Sequence, residues 1–306
     1  MSTIKNRLVD PVLTQLARGY KNAAFVGTKL FPLVTVEKEG GKIPQFSKES
    51  FKIYNTERAL RANSNVISPE GKTTIDYALT EHDLSYPMDY REVAEDITPL
   101  KIHATEVVTD GIQLRLEKLI ADICQNLVTF PVGNKVTLGT GSKFDDATSD
   151  PFAVFDIGKE AVRSKIAKRP NVCVIGASSY KALKNHPSIV DRIKYTQHAV
   201  ITPELLRQLL DFEQLYVGDS VYSDDAGNFI DIWGDNVILA YVPTKESNVE
   251  RSYYEPAFAY TLRKKGNPVV DTYDAEGKVQ FVRNTDIFTP KVVGSEAGYL
   301  INDTNT

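Results

Sequence analysis

Residues 40–89 read GGKIPQFSKESFKIYNTERALRANSNVISPEGKTTIDYALTEHDLSYPMD. Two strand-like segments flank the turn-prone NSNVISPEGK: Ile43, Phe46, Phe51 and Ile53 precede it, and Thr73, Ile75, Tyr77 and Leu79 follow it. The second set shares one face because side chains alternate along a strand, which turns Thr74, Asp76 and Ala78 the other way. Glu57, Arg58, Arg61 and Glu70 decorate the tip. A lone two-stranded ribbon is marginal in water, and a structureless stretch this long is uncommon in a compact domain. The segment therefore predicts a projection completed by a neighbouring surface, which points to assembly before catalysis.

The projection runs directly into ITPLKIHATEVVTDGIQLRLEKLIADICQNLVTF, residues 97–130. Val108, Ile112, Leu116, Leu119, Ile120, Ile123 and Leu127 recur at three and four, predicting one helix over 104–127. At ~1.5 Å per residue that rod is roughly 36 Å long. Gly111 lies inside it at a cost of about 1 kcal/mol relative to alanine, so close backbone packing or a slight bend is expected there.

Upstream, residues 1–36 combine a short helical pattern, DPVLTQLARGY, with AAFVGTKLFPLVTV, whose Pro32 and β-branched tail favour an extended exit. This reads as an arm lying along something. It carries Lys5, Arg7, Arg18, Lys21 and Lys29 against Asp10 alone, either for an acidic neighbour or as a solvated terminus.

Downstream of the Gly/Ser/Asp-rich linker GNKVTLGTGSKFDDATSDP the pattern becomes a compact α/β unit. FAVFDIGKEAVRSKIAKR reads as a helix, NVCVIG as a buried strand, ASSYKALKNHPSIVDRI as a helix broken at Pro187, and TPELLRQLL as a helix starting at Thr202. LYVGDSVY is a further strand, and FIDIW and NVILAYV complete a central sheet. Then AYTLRKKGNPVVDTYD and KVQFVRNTDIFTPKVV form a second ribbon over 260–293 that returns to the long helix, with an edge or bend at Pro268. AGYLIN is a last strand that can rejoin the compact unit.

Composition fits this picture. The 306 residues, 42% hydrophobic and 25% charged, are ordinary for one or two folded domains. Apolar runs are only a few residues long, and the opening MSTIKNRLVDPVLTQL places charges where a secretory signal needs apolar residues, so a cytoplasmic protein without membrane spans is expected. A net charge of −4 from 36 basic and 40 acidic residues gives no field for tight duplex binding. Cys124 and Cys173 sit in apolar patterns and read as buried, unreactive thiols.

No catalytic, cofactor or metal motif emerges. His82, between Glu81 and Asp83, lacks a second histidine at ligand spacing and reads as a solvated strand residue. His103, His186 and His198 read as packing or capping residues. Gly176, Ser178 and Ser179 after NVCVIG are the best anion-site candidate, but the phosphate-loop and nucleophile-elbow patterns are missing, and ordinary strand-to-helix capping is the expectation. Asp224, Asp225 and Asp231 lack calcium-loop spacing and read as an acidic turn.

The order of arm, extended ribbon, long helix, α/β unit, second ribbon and closing strand, with EHDLSYPMDYREVAED before the helix and YDAEGKVQFVRNTDIFTPKVVGSEAGYLI near the end, resembles the major capsid proteins of tailed bacteriophages. The likeness spans nearly the whole chain, and its signals are distributed over elements without a short diagnostic motif. It implies an α+β, Hong Kong 97-like fold: an N-terminal arm over 1–39, an extended β-hairpin loop over 40–89, a peripheral domain from 90–149 and 260–293 containing the spine helix, and an axial domain from 150–259 and 294–306. It also implies a non-enzymatic subunit that forms pentamers and hexamers of an icosahedral head enclosing double-stranded DNA, contacted without sequence preference. The loop of each subunit lies over its neighbour, with Phe46, Phe51, Tyr54, Arg58, Arg61, Ile75 and Tyr77 as inter-subunit contact candidates. Replacing Phe51 by alanine is expected to weaken shells more than the monomer. A separate scaffolding protein, a portal, a decoration protein and assembly in the host cytoplasm follow from the same likeness; no cofactor does. Lys48, Lys52 and Lys72 and, later in the chain, Asn284 and Asn302 are the residue types some relatives cross-link, but spacing pairs none of them. A nanocompartment shell enclosing an enzyme has the same architecture, and an α/β enzyme with an anion site near Gly176 is the alternative of another class.

Overall fold

The computed structural model describes residues 8–19, 24–45, 53–66, 74–95, 99–194, 201–243, 256–274 and 278–305. From the amino end the elements run β1 (Leu8–Val9), α1 (Pro11–Gly19), α2 (Gly27–Leu30), β2 (Leu33–Val36), β3 (Gly40–Pro44), β4 (Thr74–Ala78), β5 (Thr80–Asp89), α3 (Tyr90–Glu95) and the spine α4 (Leu100–Gln125). The middle of the chain supplies β6 (Lys135–Thr137), α5 (Pro151–Ile166), β7 (Val172–Gly176), α6 (Ala177–Asn185), α7 (Pro187–Ile193), α8 (Pro203–Leu209), β8 (Gln214–Gly218), β9 (Val221–Ser223), β10 (Phe229–Asp231) and β11 (Val237–Ala240). The last elements are β12 (Ala259–Lys264), β13 (Val269–Asp274), β14 (Val279–Val292) and β15 (Gly298–Asn302).

The α/β unit is built on a five-stranded sheet in the order β6-β15-β11-β7-β8. Its central strands are buried on both faces, which is why NVCVIG and NVILAYV read as unbroken apolar runs. The two-residue period divides them: Val172, Val174, Ile238, Ala240 and Leu300 join a core with the spine and Trp233, while Cys173, Ile175, Val237, Leu239 and Ile301 pack under the helices α5 to α8. The helix starts follow the sequence signals. Asp150 accepts from the Phe152 N–H at 3.1 Å ahead of Pro151, Thr202 caps Leu205, and His186 Nδ1 accepts from the Ser188 N–H at 3.2 Å where Pro187 breaks the run.

FIDIW was expected in this sheet and is not there. β10 pairs only with β9, in a separate hairpin whose Phe229 is 78% exposed. The cause is the turn at Asp224–Asn228: Asp224 Oδ1 accepts from the Ala226 and Asn228 N–H groups, which folds the strand back on its predecessor before it reaches the sheet.

The second sheet, in the order β1-β13-β14-β12-β2 with β5 also on β14, joins distant parts of the chain. The arm lies along this sheet: β1 pairs with β13, β2 runs parallel to β12, and α1 seats Leu13 and Ala17 against Met88, Val270 and Val282. β5 pairs with β14 through all ten of its residues, from Thr80 opposite Phe288 to Asp89 opposite Val279. Residues 80–89, read as the end of the projection, are thus part of this sheet. That pairing also corrects His82, which stacks on Phe288 with ring centroids 4.2 Å apart and is half-buried, so its pKa is lowered, first by burial and then by Arg115.

The spine packs across this sheet, as its apolar stripe predicts. Ala104, Val108, Ile112, Leu116, Ile120 and Cys124 are buried, and Asn284 Nδ2 of β14 donates to Thr109 Oγ1 at 2.9 Å. At Gly111 the expected close packing is present, since a Cβ there would stand 2.9 Å from Leu84 Cδ1. Leu127, placed on the stripe from its spacing, falls past the helix end in a short 3-10 turn and is only partly covered, because Asn126 takes an extended conformation and caps that turn. Both cysteines are fully buried, and burial pushes each thiol pKa upward.

Candidate functional site

The β3–β4 ribbon has a root and a tip with different chemistry. At the root, Ile43 pairs across from Ile75 and Gly41 from Tyr77. Ile43 is completely buried, and Ile75, Tyr77 and Leu79 lean on Val34, Val36, Tyr260 and Leu262. Thr74, Asp76 and Ala78 face outward, as the alternation predicts. Two of the contact candidates, Ile75 and Tyr77, thus serve the subunit's own core, and the Tyr77 hydroxyl donates to Lys38 O at 3.3 Å.

Residues 53–66 carry no regular strand or helix, and every one of them is exposed. The loop holds its shape through its own polar groups. Asn65 Nδ2 donates to Asn55 O at 2.8 Å and to Glu57 O at 3.0 Å, and Arg58 Nη1 donates to Ala62 O at 2.7 Å across a turn in which Arg61 adopts a left-handed φ of 68°. On this frame Ile53, Leu60 and Val66 are 96%, 91% and 88% exposed. Tyr54, Arg58 and Arg61 are exposed on the same loop. Phe46 and Phe51 lie outside the described residues, as do Lys48, Lys52 and Lys72. Of the late asparagines, Asn284 is buried against the spine.

Sequence spacing gave no reason to single out Leu60 or Val66. The Asn55–Asn65 staple within the loop has no spacing signature, and both side chains stand exposed on the loop it closes. Phe229 on the β9–β10 hairpin was missed for the opposite reason, because its strand was assigned to a buried sheet.

Among the described residues the candidate chemistry weighed from sequence does not assemble. A Cβ on Gly176 would stand 2.0 Å from Gly234 O, and Ser178 Oγ donates to the same carbonyl at 3.0 Å, so backbone fills the space an anion would need. Ser179 Oγ is 2.6 Å from Thr304 Oγ1 in a buried contact. His186 caps α7, and His103 packs edge-on to Tyr86; His198 lies outside the described residues. Among the described residues no three His, Cys, Asp or Glu side chains are grouped to hold a metal. A cavity of 470 Å³ by α5 and α7 has Arg192 stacked 3.6 Å from the Phe152 ring centroid, and its one shifted group, Glu160, is exposed, with its pKa lowered by its hydrogen bond to Arg163. No described helix is long and apolar enough to cross a membrane.

The comparisons agree with this geometry. The family model described as phage major capsid protein E matches residues 30–278. The major capsid protein of Burkholderia phage BcepMu is 54% identical over 301 residues, covering 98% of each chain. A crystal structure of a phage-related protein from Bordetella bronchiseptica RB50 superposes with a TM-score of 0.82 at 33% identity, over 97% of this chain and 98% of that one. A virus-like particle from Pyrococcus furiosus shares the fold alone, with a TM-score of 0.56 at 11% identity over 95% and 96% of the two chains. Matched by the family model over most of its length and by a phage capsid protein nearly end to end, the chain belongs to the phage major capsid protein E family, carries the Hong Kong 97-like fold, and is a structural protein of the phage head, not an enzyme.

Proposed function

We propose that this subunit closes into icosahedral heads through rings of five and six copies, with the loop of each lying over its neighbour. The observation that carries this reading is the 53–66 loop: its apolar side chains stand free of the subunit's own core, while polar staples hold the loop in a fixed shape ready to be covered. Phe46 and Phe51 extend the same contact, along with Tyr54, Arg58 and Arg61. Ile75 and Tyr77 act from beneath, by fixing the direction in which the ribbon leaves the subunit.

In this scheme residues 1–39 are the arm, 40–89 the extended loop, 90–149 and 260–293 the peripheral domain, and 150–259 with 294–306 the axial domain. The two large sheets share no strand, which supports two separate units, but β6 (Lys135–Thr137) pairs into the axial sheet and β5 (Thr80–Asp89) into the peripheral one, so pairing moves both segments across these bounds. A separate scaffolding protein sets curvature, a portal occupies one vertex, and a decoration protein can cover the outside. Packaged double-stranded DNA meets the inner surface without base readout, in keeping with a net charge of −4. Assembly takes place in the host cytoplasm.

Negative-stain electron microscopy of the purified chain, beside its size distribution in solution, tests the reading. Closed polyhedra, or free pentamers and hexamers that close when a scaffold is added, are expected. A stable monomer under all these conditions would refute it.

A further inference from the structure

Glu117 sits midway along the spine and is 1% exposed. Its Oε1 accepts from the Val26 N–H at 2.9 Å and the Trp233 indole N–H at 2.7 Å, and its Oε2 accepts from the Gly27 N–H at 2.8 Å. One carboxylate on the spine thus ties the arm and the β10–β11 connection of the α/β unit to a single point. A Cβ on Gly27 would stand 2.6 Å from Oε2, so a side chain there would collide with the carboxylate.

Among the described residues no cation pairs with this carboxylate. The surrounding charged groups are engaged elsewhere: Lys29 lies 5.5 Å from the centre of the Tyr216 ring, Arg18 donates to Gly266 O, Arg263 pairs with Asp286 at 2.9 Å, and Lys118 pairs with Asp122. The remaining titratable neighbour is the buried Cys124 thiol on the same helix. Nor is the arm packed solidly on the spine here. A cavity of about 710 Å³, lined by Phe25, Val26, Lys29, Ile112, Glu117 and Tyr216 among others, lies along the seam.

We infer that Glu117 is a charge-dependent latch: ionised, it fastens the Val26–Gly27 stretch and the Trp233 connection to the spine, and taking up one proton unfastens the arm. Three N–H donors converge on the ionised carboxylate, and an added proton turns these charge-assisted hydrogen bonds into weaker neutral ones, which loosens the hold on Val26 and Gly27. Leu30 and Phe31 stay fully buried downstream, which makes the opening a local hinge into the cavity.

Burial raises the Glu117 pKa above the usual carboxylate range, outweighing the three hydrogen bonds that lower it. The folded chain then holds this proton more tightly than the unfolded chain does. The ionised form carries a burial cost at neutral pH, and that cost is lifted as pH falls through the raised range. Proton uptake by the folded chain in this range therefore does not itself unfold it, and unfastening is read apart from acid unfolding. The latch belongs to the single subunit and does not depend on how shells form.

Trp233 is the only tryptophan, so its emission reports on this site. The full chain is titrated from neutral to mildly acid pH, following emission, far-UV circular dichroism, and hydrogen exchange at Val26 and Gly27 corrected for intrinsic rates. A one-proton emission change at constant dichroism is expected, with exchange at both amides faster by about tenfold or more, the factor for losing a hydrogen bond to a charged group. Glu117→Gln should show flat emission and fast exchange already at neutral pH. Identical titrations of the variant and the natural chain would overturn the latch, as would arm amides that stay protected in the natural chain throughout. Should that variant not fold, Trp233→Phe, which removes one donor to the ionised form, must move unfastening to higher pH as read by exchange. An unmoved midpoint would equally sink it.

Discussion

The five-stranded sheet of the α/β unit and the β3–β4 ribbon are both made of strands, yet they bury themselves in opposite ways. β7 and β11 are buried on both faces by elements of their own chain. The ribbon buries one face at its root and then carries a stapled, fully exposed loop away from any core. On the proposed reading of the loop, stability and assembly are thereby separated along the chain. Changes in the sheet should act on the monomer, changes at the loop tip on the shell, and changes at the root on both.

The strongest test of that separation is Trp233→Ala, which removes the largest fully buried side chain. It should cost the monomer about 3–5 kcal/mol, seen as a lowered denaturation midpoint; a loss confined to shell yield would break the comparison. Ile43→Ala at the ribbon root should cost about 2–4 kcal/mol, and monomer melting together with shell yield should both fall. Gly111→Ala gains helix propensity but pushes on the end of Leu84, a side chain able to give way. Its net effect should stay within about 1 kcal/mol, and a larger loss in denaturant titration would mean that the spine and β5 cannot separate even slightly. Leu60→Ala at the tip should change monomer stability by less than about 0.5 kcal/mol while lowering the yield of closed particles, and Phe51→Ala should behave alike. Equal losses in both measurements would show that the loop belongs to the subunit core after all.

How much was legible in the sequence followed from how local each signal is. The spine was readable because its apolar residues recur at helical spacing over several turns, and α5 to α8 because Asp150, His186 and Thr202 sit where caps and Pro residues agree. Residues 80–89 were harder, since a strand in a ribbon and a strand in a sheet have the same two-residue period, and only the partner β14, two hundred positions on, decides between them. FIDIW failed because its apolar letters suit a core strand while the preceding Asp224 turn returns the chain to β9. Of the proposed contact surface, Tyr54, Arg58 and Arg61 were singled out from their place in a turn-rich tip. Leu60 and Val66 required the Asn55–Asn65 staple, and Glu117 offered only a charged letter on an otherwise apolar stripe.

The pairing of β2 with β12 sets a timetable for the newly made chain. Thr261 Oγ1 donates to Phe31 O, 230 positions earlier, so this part of the arm lacks its strand partner until that late strand leaves the ribosome. At about 5–20 residues per second the wait is on the order of ten to fifty seconds. During that interval the ribbon root also lacks Tyr260 and Leu262 beneath it. If the loop does lie over a neighbour as proposed, a half-made subunit has no properly aimed loop to offer, and the order of synthesis then limits premature association.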